Sequence, residues 1–399
     1  MYTGETGADA LFTRRFWLAC AMHFAGGMAA SFYILFPLFV RSLGGTEVAM
    51  GLYAGLSGAA AVAARVPVGK WLDTRGRRRV LVAAGALSVA AWLSFVSISS
   101  IGMASATLVL VYGFAGGALF AGYFTYASDI VPMHRRSEGF GMFGIWGMLP
   151  NGLGPWLGER LIAGYGFHAY FGVAALFAFT ALCISTRLPE TVHGPHTVAN
   201  AAEPPASGTF PGRELLFLLA TTFMFGVAME SLFVFLAPFA YGHGHGNVGF
   251  FFMTYAWTAV AVRVISGRLP DRIGLRRVLV PALLVYACGV LWVPHASTTA
   301  LVAIGMLCGI GHGYAFPILN ALAVEQVSAA YRGRAVSWLT AMFDLGNTLA
   351  NPALGAVAHW AGYTAMFSTS GVALLLAVVA VWWRSAPSRQ SSPVHRAAL

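Results

Sequence analysis

Long apolar runs separated by short charged turns dominate the chain. A helix that crosses a bilayer needs about 20 apolar residues. Twelve stretches meet that length, at roughly residues 15–40, 48–69, 79–100, 103–129, 138–163, 167–187, 213–240, 247–267, 276–294, 298–326, 333–358 and 362–384. They fall six and six around residues 188–212. That stretch is polar, holds Pro189, Pro195, Pro204, Pro205 and Pro211, and reads as a linker with little to bury. The expected fold is an all-α membrane protein of twelve transmembrane helices. Residues 1–187 form one six-helix bundle, 188–212 the linker, and 213–399 a second bundle with a short tail.

The polar positions assign the faces. Of the 24 lysines and arginines, twenty lie in the two termini or in loops after even-numbered segments. Arg65 and Arg263 lie at the same ends of segments 2 and 8, and only Arg41 and Arg160 lie on the other side. Positive charge is retained on the cytoplasmic side, so both termini and the linker are expected there, on what is called below the basic face. Residues 1–13 contain Glu5 and Asp9 but no basic region or cleavage site, so the first apolar segment is expected to stay as a helix.

Composition excludes other classes. The chain is 58% hydrophobic and 10% charged, against about 25% charged in soluble domains. Its surface therefore suits lipid. The net charge of +10 is explained by topology, and no nucleic-acid partner is expected. Cys20, Cys183, Cys288 and Cys308 all lie in apolar runs without metal-ligand spacing and read as packing residues. No metal, cofactor or oligomeric partner is expected.

One motif occurs twice. Arg65–Val82 reads RVPVGKWLDTRGRRRVLV, and Arg263–Val280 reads RVISGRLPDRIGLRRVLV. Arg65, Gly69, Asp73 and Gly76 match Arg263, Gly267, Asp271 and Gly274 at an offset of 198 residues, half the chain. Two related bundles about a central site are the organisation of secondary transporters.

GKWLDTRGRRR resembles the signature loop between helices 2 and 3 of the major facilitator superfamily, and GRLPDRIGLRR its echo between helices 8 and 9. With the helix count and linker, the resemblance covers nearly the whole chain. It implies that Asp73, among basic residues that include Arg77, caps helix 11 and latches the basic face. Arg263 and Asp271 are implied as the pseudosymmetric counterpart. In segment 5, PNGLGPWLG resembles the glycine–proline motif of the efflux branch through Gly154, Pro155 and Gly158, with Pro150 where a glycine is usual. Val109 stands where many proton-coupled members carry an arginine in helix 4. Pro132–Gly141 and Phe343–Gly355 resemble bacterial efflux members.

Ionisable groups at membrane depth are costly and mark function. Only two of the 14 acids lie near mid-segment: Glu230 in segment 7 and Asp344 in segment 11. Neither has a basic residue within a helical turn of its own segment. Burial disfavours a charged carboxylate, so both are candidate proton carriers, and Glu230 also a candidate ligand for a cationic substrate; the alternative is a structural hydrogen bond for Glu230 and, for Asp344, a structural bond to Asn347, Asn351 or the Asp73 loop. His23, His312, Asn151 and Asn320 are further polar candidates for proton or substrate contact, with hydrogen-bonded packing as the alternative. Asp129 and Glu325 read as gate or capping partners of Arg135, Arg136, Arg332 and Arg334. His243 and His245 form an H-x-H pair, two ligands being too few for a stable metal site. The aromatic residues of segment 4, Tyr112 to Tyr126, read mainly as packing.

The resulting expectation is no enzyme but a secondary transporter in a bacterial inner membrane. It would move a small organic molecule by alternating access, with proton-coupled efflux ahead of proton-coupled uptake. A transport-derived sensor or a polytopic membrane enzyme is the outside alternative. No Walker A motif and no H-E-x-x-H occurs.

Overall fold

The computed structural model describes residues 11–191, 212–246, 248–328 and 331–385. The expected polar N-terminal stretch up to residue 10, most of the linker and the C-terminal tail lie outside these residues.

Thirteen helices follow in order among the described residues: α1 (Arg14–Phe32), α2 (Phe36–Ser42), α3 (Glu47–Arg75), α4 (Arg77–Phe95), α5 (Met103–Ile130), α6 (Arg136–Met148), α7 (Pro150–Arg187), α8 (Arg213–Gly242), α9 (Val248–Ser266), α10 (Leu269–Ile273), α11 (Leu275–Trp292), α12 (Thr298–Glu325) and α13 (Arg332–Ser385). Thr13 starts α1 by accepting from the Phe16 amide, and Ser297 starts α12 by accepting from the Ala300 amide. α1 runs into α2 through a tight turn at Tyr33–Leu35, making one crossing. α6 and the first part of α7 make another, with Pro150 opening the second piece.

Helix α13 has 54 residues. At 1.5 Å per residue it would measure about 80 Å, against a hydrocarbon core of about 30 Å. It folds back at Gly362 (φ 83°, ψ 165°), and α7 does so at Gly166 (φ 77°, ψ −175°). Ten long apolar helical stretches are thereby twelve crossings. The left-handed glycines record the duplication: Gly44, Gly76 and Gly166 have counterparts in Gly244, Gly274 and Gly362, at offsets of 200, 198 and 196 residues. These turns need positive φ, which glycine adopts without penalty.

Large apolar side chains such as Leu376, Val379 and Trp383 are exposed, as a lipid-facing surface requires. The two halves meet along two seams. In one, α3 packs on α13: a side chain at Gly55 would lie 2.9 Å from Pro352, and one at Gly58 would lie 2.7 Å from the Thr348 hydroxyl. In the other, α7 packs on α9, where Gly152 faces Met253 and Ala256. Further towards the basic face the seams part. Nothing lies within 4 Å of a side chain added at Gly69, and one at Gly267 would meet only its own helix. The halves are closed at the opposite face and open at the basic face.

Candidate substrate cavity and gates

The opening leads to a cavity of about 390 Å³ between the halves. Tyr33, Arg65 and Asn151 reach it from the first half, and Glu230, Asp344 and Asn351 from the second. Tyr33 stacks on Tyr112 with ring centroids 4.5 Å apart, giving one aromatic wall. The other wall is polar, with Asn347 and Thr348 completing it.

Both mid-segment acids are brought here, and both gain partners that lie far away in sequence. Arg65 of α3 forms an ion pair with Asp344 of α13 across the seam. The side chains keep 36% and 20% of their surface, so the pair is partly wetted by the cavity. Asn351 donates to Glu230 Oε2 at 3.2 Å within the second half. The amide oxygen of Asn351 is buried without a donor.

Other candidates are placed elsewhere. His23 lies inside the first half, with Nδ1 3.1 Å from the Phe143 carbonyl and its ring stacked on Phe143 at 4.4 Å. His312 lies inside the second half, bonded to the Tyr255 hydroxyl at 2.7 Å. Asn320 donates back to the Phe316 carbonyl of its own helix. These contacts are packing contacts away from the residues that line the cavity. Gly154 lies against Ser31, and Gly158 lies 3.0 Å from Leu35 and Tyr170 for an added side chain, so the glycine–proline motif seats α7 on the first crossing. Tyr112 alone of the segment 4 aromatics lines the cavity; Val109 is buried and apolar. His243 bonds back to the Phe239 carbonyl, and no cluster of three metal-ligating residues occurs among the described residues.

At the basic face the signature loop bonds within its own half. Arg77 donates from Nη1 to Asp73 at 2.7 Å and from Nε to Asp129 at 3.0 Å. Asp73 is 68% exposed, and among the described residues its carboxylate meets Arg77 and no residue of α13. Asp129 was expected to meet Arg135 or Arg136. It meets Arg77 and Thr191 instead, because Arg135 is held by Glu138 three residues on. Glu325 is exposed, as is Asp271, while the Nε of Arg263 is buried with no acceptor. The beginning of the expected linker also belongs to the fold. Leu188 is fully buried, and Glu190 accepts from the Arg77 and Arg78 amides at 2.8 and 3.1 Å, capping α4.

The closed face is held by groups the sequence did not single out. Glu159 accepts from the Val248 and Gly249 amides and the Tyr241 hydroxyl. Glu47 meets His359 and Tyr363, and Arg41 donates to the Pro238 carbonyl at 2.8 Å. Their only sequence signal is polarity beside a glycine-rich or helix-starting stretch.

Two pseudosymmetric helical bundles enclosing a polar cavity at their seam define a membrane transport protein. The chain belongs to the Major Facilitator Superfamily, which matches residues 17–250 and 218–398. It is 26% identical over 400 residues to the multidrug resistance protein MdtG of Salmonella choleraesuis (strain SC-B67), covering 94% of this chain and 95% of that one. To MdtG of Enterobacter lignolyticus (strain SCF1) it is 25% identical over 390 residues, covering 91% and 89%. Among solved structures, the nucleoside transporter NupG (D323A mutant) superposes with a TM-score of 0.78 at 12% identity, covering 93% of this chain and 99% of the other. The peptide transporter POT in complex with sulfate gives 0.73 at 17% identity, covering 93% and 94%. The human organic anion transporter MFSD10 (TETRAN) gives 0.65 at 17%, covering 94% and 100%. At these identities the structures share the fold.

Proposed function

We propose that this protein exports a small organic molecule across the bacterial cytoplasmic membrane by alternating access, driven by protons. The observation that carries this reading is the Arg65–Asp344 pair at the cavity. One partner moves with each half. A proton on Asp344 removes the attraction to Arg65, so protonation acts directly on one of the contacts that join the halves. Glu230 is the second carrier. Asn351 serves it in both states, donating an amide N–H to the carboxylate or, after an amide flip, accepting the carboxyl O–H.

On this reading the basic face is cytoplasmic, with both termini and the linker, and the arrangement described is open inward. Exchange then runs in steps: substrate enters from the cytoplasm, the halves rock, and protons arriving from outside displace it. The multidrug resistance name of the MdtG relatives favours export and a broad substrate range. The aromatic wall of Tyr33 and Tyr112 beside a polar wall fits an amphipathic molecule.

The test is flux in proteoliposomes carrying the purified chain and a panel of amphipathic amines, carboxylates and neutral compounds. Uphill movement against an imposed proton gradient, abolished by a protonophore, is the expected result. Flux that ignores the gradient for every transported compound would refute proton coupling.

A further inference from the structure

Glu159 bonds across the seam at the face opposite the basic one. It follows the glycine–proline motif on α7 and is 7% exposed. Oε1 accepts from the Val248 amide at 2.8 Å and the Tyr241 hydroxyl at 3.0 Å, and Oε2 accepts from the Gly249 amide at 2.8 Å. Val248 and Gly249 open α9, a helix of 19 residues. The first amides of a helix lack partners within it, and its N-terminus carries partial positive charge. A carboxylate from the first half therefore caps a helix of the second half. The neighbouring Arg160 accompanies it more weakly: it bonds the Trp156 carbonyl at 3.1 Å, lies over the Trp156 ring, and across the seam reaches only the Phe250 ring, 5.8 Å from its centroid.

We propose that Glu159 is the lock of this face and the counterpart of Asp73 on the other. The inference rests on the alternating-access reading. In the present arrangement Glu159 is engaged, and Asp73 reaches no described residue of the second half. Rocking that closes the basic face must draw α7 from α9, which strips the Val248 and Gly249 amides of their acceptor and returns Glu159 to water. The same motion brings Asp73 towards α13. One carboxylate cap is exchanged for another, so neither end state leaves a helix terminus and a carboxylate unpaired at both faces. The two caps set the balance between states, while the cavity acids set what shifts it.

The lock is tested in conformation, so that failure of the export reading does not decide it. Spin labels at Gly164→Cys and Gly246→Cys report the opposite face, and labels at Met133→Cys and Ile273→Cys report the basic face. A side chain at either glycine meets open space. Accessible Cys183 and Cys288 are replaced by alanine in both pairs. Electron–electron distance distributions are recorded in nanodiscs without substrate. Glu159→Gln should raise the long-distance population at the opposite face about tenfold, the least expected from losing one hydrogen bond to a charged group, and shorten the distance at the basic face. Tyr241→Phe, which keeps both amide bonds, should move both distributions the same way by less. Adding Asp73→Asn to Glu159→Gln should return part of the population. Arg160→Gln, which removes only the ring contact with Phe250, should move both distributions by much less than Glu159→Gln. If Glu159→Gln or, should that variant not fold, Tyr241→Phe leaves both distributions as in the parent, the lock is refuted; an equal shift in Arg160→Gln refutes it as well.

Discussion

Arg65 and Arg263 occupy matching positions of the internal repeat, 198 residues apart, and among the described residues only Arg65 has a carboxylate partner. The nearby matches of Pro155 with Pro352 and Gly158 with Gly355, 197 residues apart, put Gly147 opposite Asp344 in the first half, where no carboxylate stands. The duplication kept both arginines and only one acid. The pair at the cavity is therefore one-sided, and protonation of a single carboxylate suffices to release it.

This asymmetry predicts opposite stability effects. Arg65→Gln leaves Asp344 without its cation and should lower stability by about 1–2 kcal/mol, below the 3–5 kcal/mol of a fully buried pair because the cavity wets both groups. Arg263→Gln removes a cation whose Nε has no acceptor and should leave stability unchanged or raised. Thermal unfolding of the detergent-solubilised variants checks this. An equal loss in both would show that Arg263 has an acid partner after all.

Replacing the cavity acids should uncouple transport. Glu230→Gln or Asp344→Asn should abolish gradient-driven accumulation while sparing part of the downhill flux. A charge left at membrane depth once its partner has moved away costs roughly 2.5–3.5 kcal/mol, so an acid such as Asp344, whose Arg65 partner belongs to the other half, is sensitive to the state of the seam. In vesicles at graded internal pH, both variants should lose the parent's pH dependence. Wild-type accumulation in both, with its pH dependence intact, would mean that neither acid carries the proton.

Asp73→Asn should separate stability from turnover. In the present state Asp73 is exposed and Arg77 keeps Asp129 as a second partner, so their contact, spaced by four residues, is worth about 0.3–0.5 kcal/mol. Melting of the variant should stay close to the parent. If Asp73 caps α13 when the basic face closes, as proposed, the variant loses that cap and transport velocity should fall several-fold. Parental velocity in a correctly inserted variant would remove Asp73 from the gate.

Glycines on the two kinds of interface should differ in consequence. Gly113 packs within the first half against the Ser57 backbone, whereas Gly58 faces Thr348 across the seam. Gly113→Val should overpack a permanent contact and cost about 1–3 kcal/mol of stability. Gly58→Val should spare the folded bundles and shift the population away from the arrangement closed at the opposite face. Cysteine accessibility from each side, measured beside thermal unfolding, distinguishes the two; equal destabilisation by both would mean that the seam does not open.

The sequence by itself determined the bundle. Twelve apolar runs and a repeated glycine-bearing turn are local signals, because a bilayer demands length and backbone self-satisfaction from each helix separately. Glu230 and Asp344 were legible for the same reason: a charge inside an apolar run is conspicuous wherever it folds. What those acids touch was not legible. Arg65 lies 279 residues before Asp344, and Glu159 meets amides 89 and 90 residues away. Nor could local pattern tell His23 and His312, which pack inside their halves, from Asn151, which faces the cavity. Each of these outcomes depends on which side of a helix meets which neighbour. Helical rotation and crossing are settled by close packing along the seams, where glycines such as Gly55 and Gly152 let two backbones approach, and so the cavity and the bonds across the seam arise only once the two halves are placed together.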